Sequence, residues 1–182
     1  PFDQPNLPIR FESNSLSGGS VRANAAHYEF GDSHSERRTN GEHFSGISVS
    51  DTAWTPILSW RKRSGWDMVN VKPVKLAVFS ETNDVKLELQ LDSTLSSPSW
   101  SLPTHSSSDE TSVEIYTGGS LSSNGERRWT GYSPAGQGNN PGSVAEEDVD
   151  FNLPADQVIT LAGQAVGGSA TVSGTVSWEE YF

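Results

Sequence analysis

Residues Gln157 to Phe182 (QVITLAGQAVGGSATVSGTVSWEEYF) constrain the fold of this chain more than any other stretch. Two alternating segments flank Gly167-Gly168, a dipeptide that takes the positive φ angles of a tight two-residue turn. Past it, Ala170, Val172, Gly174, Val176 and Trp178 share one face, and Thr171, Ser173, Thr175 and Ser177 share the other. That period of two predicts a half-buried antiparallel strand, paired as a hairpin with the segment before the turn. The strand runs into Trp178-Glu179-Glu180-Tyr181-Phe182, so the aromatic end is expected to be tied into a sheet or a partner.

The same alternation recurs upstream in short pieces. WTPILSWR (Trp54–Arg61) reads as a strand, with Pro56 marking an edge position or a bulge. PVKLAVFS and VKLELQL place Val74, Leu76 and Val78 opposite Leu87, Leu89 and Leu91, and Glu81–Asp84 has the length of a hairpin loop. Weaker strands are expected at Ile9–Glu12, Ala26–Phe30, Ile47–Val49, Ser112–Tyr116, Arg127–Tyr132 and Val149–Leu153. Gly31–Glu42, Ser93–Asp109 and Ser133–Ser143 read as polar loops. Pro1–Pro8 holds three prolines and is expected to be an extended arm. No amphipathic helix of three turns is present in the pattern. Eight to ten short strands predict an all-β fold, an antiparallel two-sheet sandwich and most economically a single jelly roll, over residues 9–182.

Composition bounds what such a sandwich can do. Only 33% of the 182 residues are hydrophobic, so six Trp, seven Phe and four Tyr must supply much of the buried area. With no cysteine, disulfides and thiolate metal sites are excluded. A net charge of −11 argues against a basic nucleic-acid surface and against anionic headgroups. No run approaches the roughly 20 apolar residues of a membrane span, so no membrane insertion is expected. Arg outnumbers Lys eight to four. With the acidic excess, that fits either a protein adapted to high salt or an ordinary acidic one.

Candidate sites are few. His27, His34, His43 and His105 lack the spacing of a zinc motif and read as solvated or singly hydrogen-bonded. Glu146-Glu147-Asp148-Val149-Asp150 could bind Ca2+ with carbonyls of Asn139-Asn140, or form an acidic edge that discourages strand pairing. No GxSxG elbow or other catalytic constellation occurs, and the expectation is a protein that is not an enzyme and carries no cofactor. Arg61-Lys62-Arg63 and Arg127-Arg128 are basic clusters suited to ion pairs with a neighbouring copy, and Arg61-Lys62-Arg63 is expected to pair with the Glu146–Asp150 edge of such a neighbour. Trp66, Trp100 and Trp129 adjoin turn sequence and read as lids, protein anchors or sugar platforms. Trp66, Trp129, Tyr132, Arg61, Arg63, Tyr181 and Phe182 are the interface candidates.

Three segments carry a resemblance. Trp54–Trp100 is similar to a strand, turn and hairpin pattern of structural proteins from viruses of prokaryotes. DETSVEIYTGGSLSSNGERRWTG (Asp109–Gly131) resembles that pattern's central link, and LPADQVITLAGQAVGGSATVSGTVSWEEYF (Leu153–Phe182) its closing hairpin. Within that group the chain looks most like the smaller single-jelly-roll major capsid protein of icosahedral, internal-membrane viruses of halophilic archaea. Its acidity is modest for that setting. The resemblance implies a virion structural protein at the capsid surface, assembling into capsomers with itself and a larger companion. A trimeric head-decoration, fibre or receptor-binding domain of a tailed virus, and a secreted carbohydrate-binding module, are the alternatives.

Overall fold

The computed structural model describes residues 37–104, 106, 110–136, 152–182 and the main chain of 145–148. These belong to one compact unit within His34–Phe182. The expected arm Pro1–Pro8, the strands at Ile9–Glu12 and Ala26–Phe30, and His27, His34 and His105 lie outside the described residues.

Eleven strands are described: β1 (Arg37–Val49), β2 (Thr55–Lys62), β3 (Asn70–Ser80), β4 (Val85–Leu91), β5 (Thr94–Leu95), β6 (Val113–Thr117), β7 (Leu121–Ser123), β8 (Glu126–Ser133), β9 (Ala145–Asp148), β10 (Val158–Ala165) and β11 (Ala170–Tyr181). No helix occurs among the described residues. One antiparallel sheet has the order β1-β11-β3-β9 and the other β6-β2-β10-β4-β8, with β5 and β7 as a small separate pair. The fold is the expected all-β, two-sheet antiparallel sandwich. Its eight main strands pair first with last and so inward: β1 with β11, β2 with β10, β3 with β9, β4 with β8.

The alternation read from the sequence selects the inward face. Ala170, Val172, Val176 and Trp178 of β11 are buried and face Leu87, Leu89, Ile159 and Leu161 of the other sheet across one core. Trp60 and Trp178 are its largest fully buried side chains, and burial of side chains this size stabilises by roughly 2–3 kcal/mol each. Two glycines set close approaches. A Cβ at Gly163 would stand 3.0 Å from Ile57 and 3.2 Å from Val49, and Phe44 occupies the space a Gly174 side chain would need.

Pairing departs from expectation in two places. Glu81–Asp84 does not close a hairpin: β3 lies in the four-stranded sheet and β4 in the five-stranded one. Gly167-Gly168 (φ 81° and 134°) takes the positive φ expected, yet it too joins strands of opposite sheets, β10 and β11. Each of these strands has one apolar face, and a crossing link buries both faces against each other over the core.

Other differences are local. Arg37–Glu42 is the first half of β1, not loop; its outer residues alternate with solvent, which keeps the segment polar. Val74 is only half-buried because a register shift between Ser177 and Trp178 bulges β3 there, at Pro73, and moves the inward phase to Leu76 and Val78. Pro56 sits at the expected bulge, where the β2–β10 register shifts, although β2 is an inner strand. Of the strand expected at Val149–Leu153 only residues 152 and 153 are described, and Leu153 makes a bridge to Val71; β9 just before it is an edge of its sheet among the described residues.

Candidate functional site

One end of the sandwich gathers most of the sequence-derived candidates. The start of β1, the end of β2, the 63–69 link, the start of β3 and the end of β11 meet there, because Tyr181 pairs with both Arg37 and Asn70. The Trp66 ring meets Phe182 edge-on, with centroids 5.7 Å apart. Arg38 lies 4.8 Å over the Phe182 ring and Arg63 5.7 Å over Trp66. Cation–π contacts of this kind are worth about 0.5–1 kcal/mol when exposed. Met68 is 95% exposed beside them and Phe182 37%. With Asn70, Lys72, Asn152 and Tyr181 they line a shallow hollow of about 480 Å³.

Arg61 is engaged within its own chain. Its Nε and Nη2 donate to Glu114 Oε2 at 3.0 and 2.9 Å, and its guanidinium stacks 4.4 Å over Trp100. The expected pairing of this arginine with a neighbour's acidic edge therefore competes with an existing pair. Arg61→Ala is expected to cost about 1 kcal/mol, since the pair is partly exposed. Thermal melts of this variant and of Glu114→Ala check this, with near-equal losses expected. The second basic cluster is likewise satisfied in the chain: Arg127 reaches Glu88 at 3.3 Å and Arg128 reaches Glu126 at 2.8 Å.

Below this end lies a feature that sequence reading missed. Glu180 is fully buried and accepts five hydrogen bonds. Asn40 Nδ2, Thr111 Oγ1 and Trp178 Nε1 donate to Oε1 at 2.7, 2.7 and 2.9 Å; the Ser112 N–H and hydroxyl both donate to Oε2 at 2.6 Å. Burial pushes its pKa up, but the donors from Ser112, Thr111 and Trp178 outweigh that and hold it below the usual glutamate value. The carboxylate ties β11 to β1 and to the segment entering β6 in the other sheet. Its neighbour Glu179 accepts from Tyr181 and Arg37.

The remaining candidates sit elsewhere. Trp129 is an internal residue of β8, half-buried against the core and lying over Gly131, rather than a loop aromatic. Tyr132 is near the far end of β8, where its hydroxyl donates to Asp84 Oδ2. The bond to Asp84 raises the Tyr132 pKa above the ordinary tyrosine value. Alkaline titration followed by phenolate absorbance is expected to show one tyrosine shifting down in Asp84→Asn; unchanged titration would contradict the bond. The neutral phenol's contribution is present below the unfolded pKa and lost as pH rises through the folded one.

Among the described residues no three His, Asp or Glu side chains cluster to hold a metal. His43 is on β1 beside Glu42, whose carboxylate accepts from the His43 and Thr104 N–H groups. Glu146–Asp148 fall on edge strand β9. Scans of the chain against protein-family models, curated proteins and solved structures each return no match.

Proposed function

We propose that the chain is a virion structural protein: a self-assembling capsid subunit that forms capsomers with itself and with a larger companion capsid protein at the capsid surface. The observation that carries this reading is the pairing of the eight main strands, first with last and inward to β4 with β8. A long antiparallel hairpin rolled into two sheets has this order, which supports reading the sandwich as a jelly roll, an architecture recurrent in capsid and lectin domains. The resemblance of Trp54–Trp100 and Leu153–Phe182 to viral shell proteins points the same way. So does the dense aromatic and cationic end around Trp66 and Phe182, since aromatic residues and Arg are enriched where proteins meet.

Mass photometry of the purified chain at low and high salt tests the reading. Capsomer-sized species of five or six copies are the expected result. A monomer under every condition, or a trimer that never grows, would overturn it; the trimer would favour a decoration or fibre domain.

A further inference from the structure

The sequence holds two Asn-Gly dipeptides, Asn40-Gly41 and Asn124-Gly125, and the fold treats them differently. Asn40 and Gly41 lie within β1, paired with Trp178 and Ser177 of β11. The Asn40 carboxamide is engaged as well, donating to the buried Glu180 carboxylate at 2.7 Å. Asn124 and Gly125 instead form the link from β7 to β8, outside any strand, and Asn124 is exposed.

Packing fixes the residue after Asn124 as glycine. A Cβ at Gly125 would stand 2.2 Å from the Leu91 carbonyl oxygen and 2.6 Å from the Ser93 nitrogen, main-chain atoms that cannot swing aside. The peptide nitrogen that follows Asn124 is therefore shielded by no side chain of its own residue. Its N–H reaches the Gln90 side-chain oxygen at 3.3 Å, longer than an ordinary N–H···O bond.

We propose that Asn124 is a site of self-modification, at which the folded chain deamidates while Asn40 is spared. The Gly125 nitrogen attacks Asn124 Cγ; the N–Cγ bond forms, the Cγ–Nδ2 bond breaks, and ammonia leaves with the proton that nitrogen carried. Water then opens the five-membered imide, giving aspartate where the N–Cγ bond is cut and isoaspartate where the main-chain bond is cut. One water is consumed and one ammonia released, with no oxidant or cofactor. The product adds one negative charge to the chain's −11, in the hollow that Asn124 shares with Asp92, Glu126 and Arg128. Isoaspartate also lengthens the main chain leading into β8 by one carbon. At Asn40 the same ring needs β1 to leave β11 first, and such local opening keeps the reaction roughly tenfold slower or more. The site belongs to the chain itself and does not rest on the virion reading.

The full folded chain, incubated at mildly alkaline pH beside an unincubated sample, tests this. Trypsin separates the two asparagines, into peptides 39–61 and 87–127, each holding no other Asn. Mass spectrometry is expected to show Asn124 converting, with isoaspartate among the products, while the Asn40 peptide stays unchanged. In urea the two should convert at comparable rates, because the protection of Asn40 comes from the fold. Asn124→Gln, at an exposed position, should remove the acidic isoform that ion exchange resolves from the parent. An unreacted Asn124, aspartate without isoaspartate, Asn40 converting as fast as Asn124 in the folded chain, or an acidic isoform that persists in Asn124→Gln would each overturn the proposal.

Discussion

Glu180→Ala is expected to lower the unfolding free energy by about 3–5 kcal/mol, enough to drop the melting temperature on the order of 10 °C. Removing the carboxylate leaves the donors of Asn40, Thr111, Ser112 and Trp178 facing a cavity, and unpaired buried donors are costly. Glu180→Gln should recover only part of the loss, because its amide NH2 would face donors. The pH dependence follows from the sign of the shift. A carboxylate whose folded pKa is depressed contributes stability that is present above the unfolded value of about 4.3 and is lost as pH falls through the folded value. The parent should therefore lose stability steeply on acidification below the ordinary glutamate range, and Glu180→Gln should flatten that part of the curve. Denaturant titrations at a series of pH values measure both effects. Equal acid sensitivity in parent and variant would contradict the role given to this side chain.

Gly174→Val is expected to be more damaging still, leaving little soluble protein or lowering stability by upwards of about 4 kcal/mol. Gly174 lies in the middle of β11, between β1 and β3. A side chain there would run into the Ala77 carbonyl oxygen and stand 2.8 Å from the Phe44 ring, which packs in the space glycine leaves. Phe44→Leu should rescue Gly174→Ala only partly, because shortening the ring does nothing about the backbone oxygen. Soluble yield and thermal melts of the single and double variants check this, and a Gly174→Val protein melting with the parent would contradict the packing described.

The inward faces of β4 and β11 were legible because burial leaves a period of two that a short window shows. Ala170, Val172, Val176 and Trp178 were read from that pattern and are buried. Partner choice was not legible. A link such as Glu81–Asp84 or Val166–Ser169 needs the same small, polar, positive-φ residues whether the chain turns within a sheet or crosses to the other one. Bulges also defeated strict alternation, as at Val74, since one extra residue shifts every later side chain to the other face. Glu180 continues the inward phase of Val176 and Trp178, which was the available signal. Its donors are 68 residues away at Ser112 and 140 away at Asn40, so no local window could have shown that its charge is satisfied. Of the interface candidates, Arg63, Trp66, Tyr181 and Phe182 fall at one end, with Arg61 stacked on Trp100 near it. Trp129 and Tyr132 fall elsewhere, because sequence proximity to a turn does not say at which end of a sandwich the turn lies.

The capsid reading is tested most directly by electron cryomicroscopy of whatever the purified chain assembles into, alone and with a larger capsid protein from the same source. Closed shells, or rings of five or six copies packed side by side, are the result this account leads us to expect. Dispersed monomers, or linear end-to-end stacks with no lateral rings in either preparation, would contradict it.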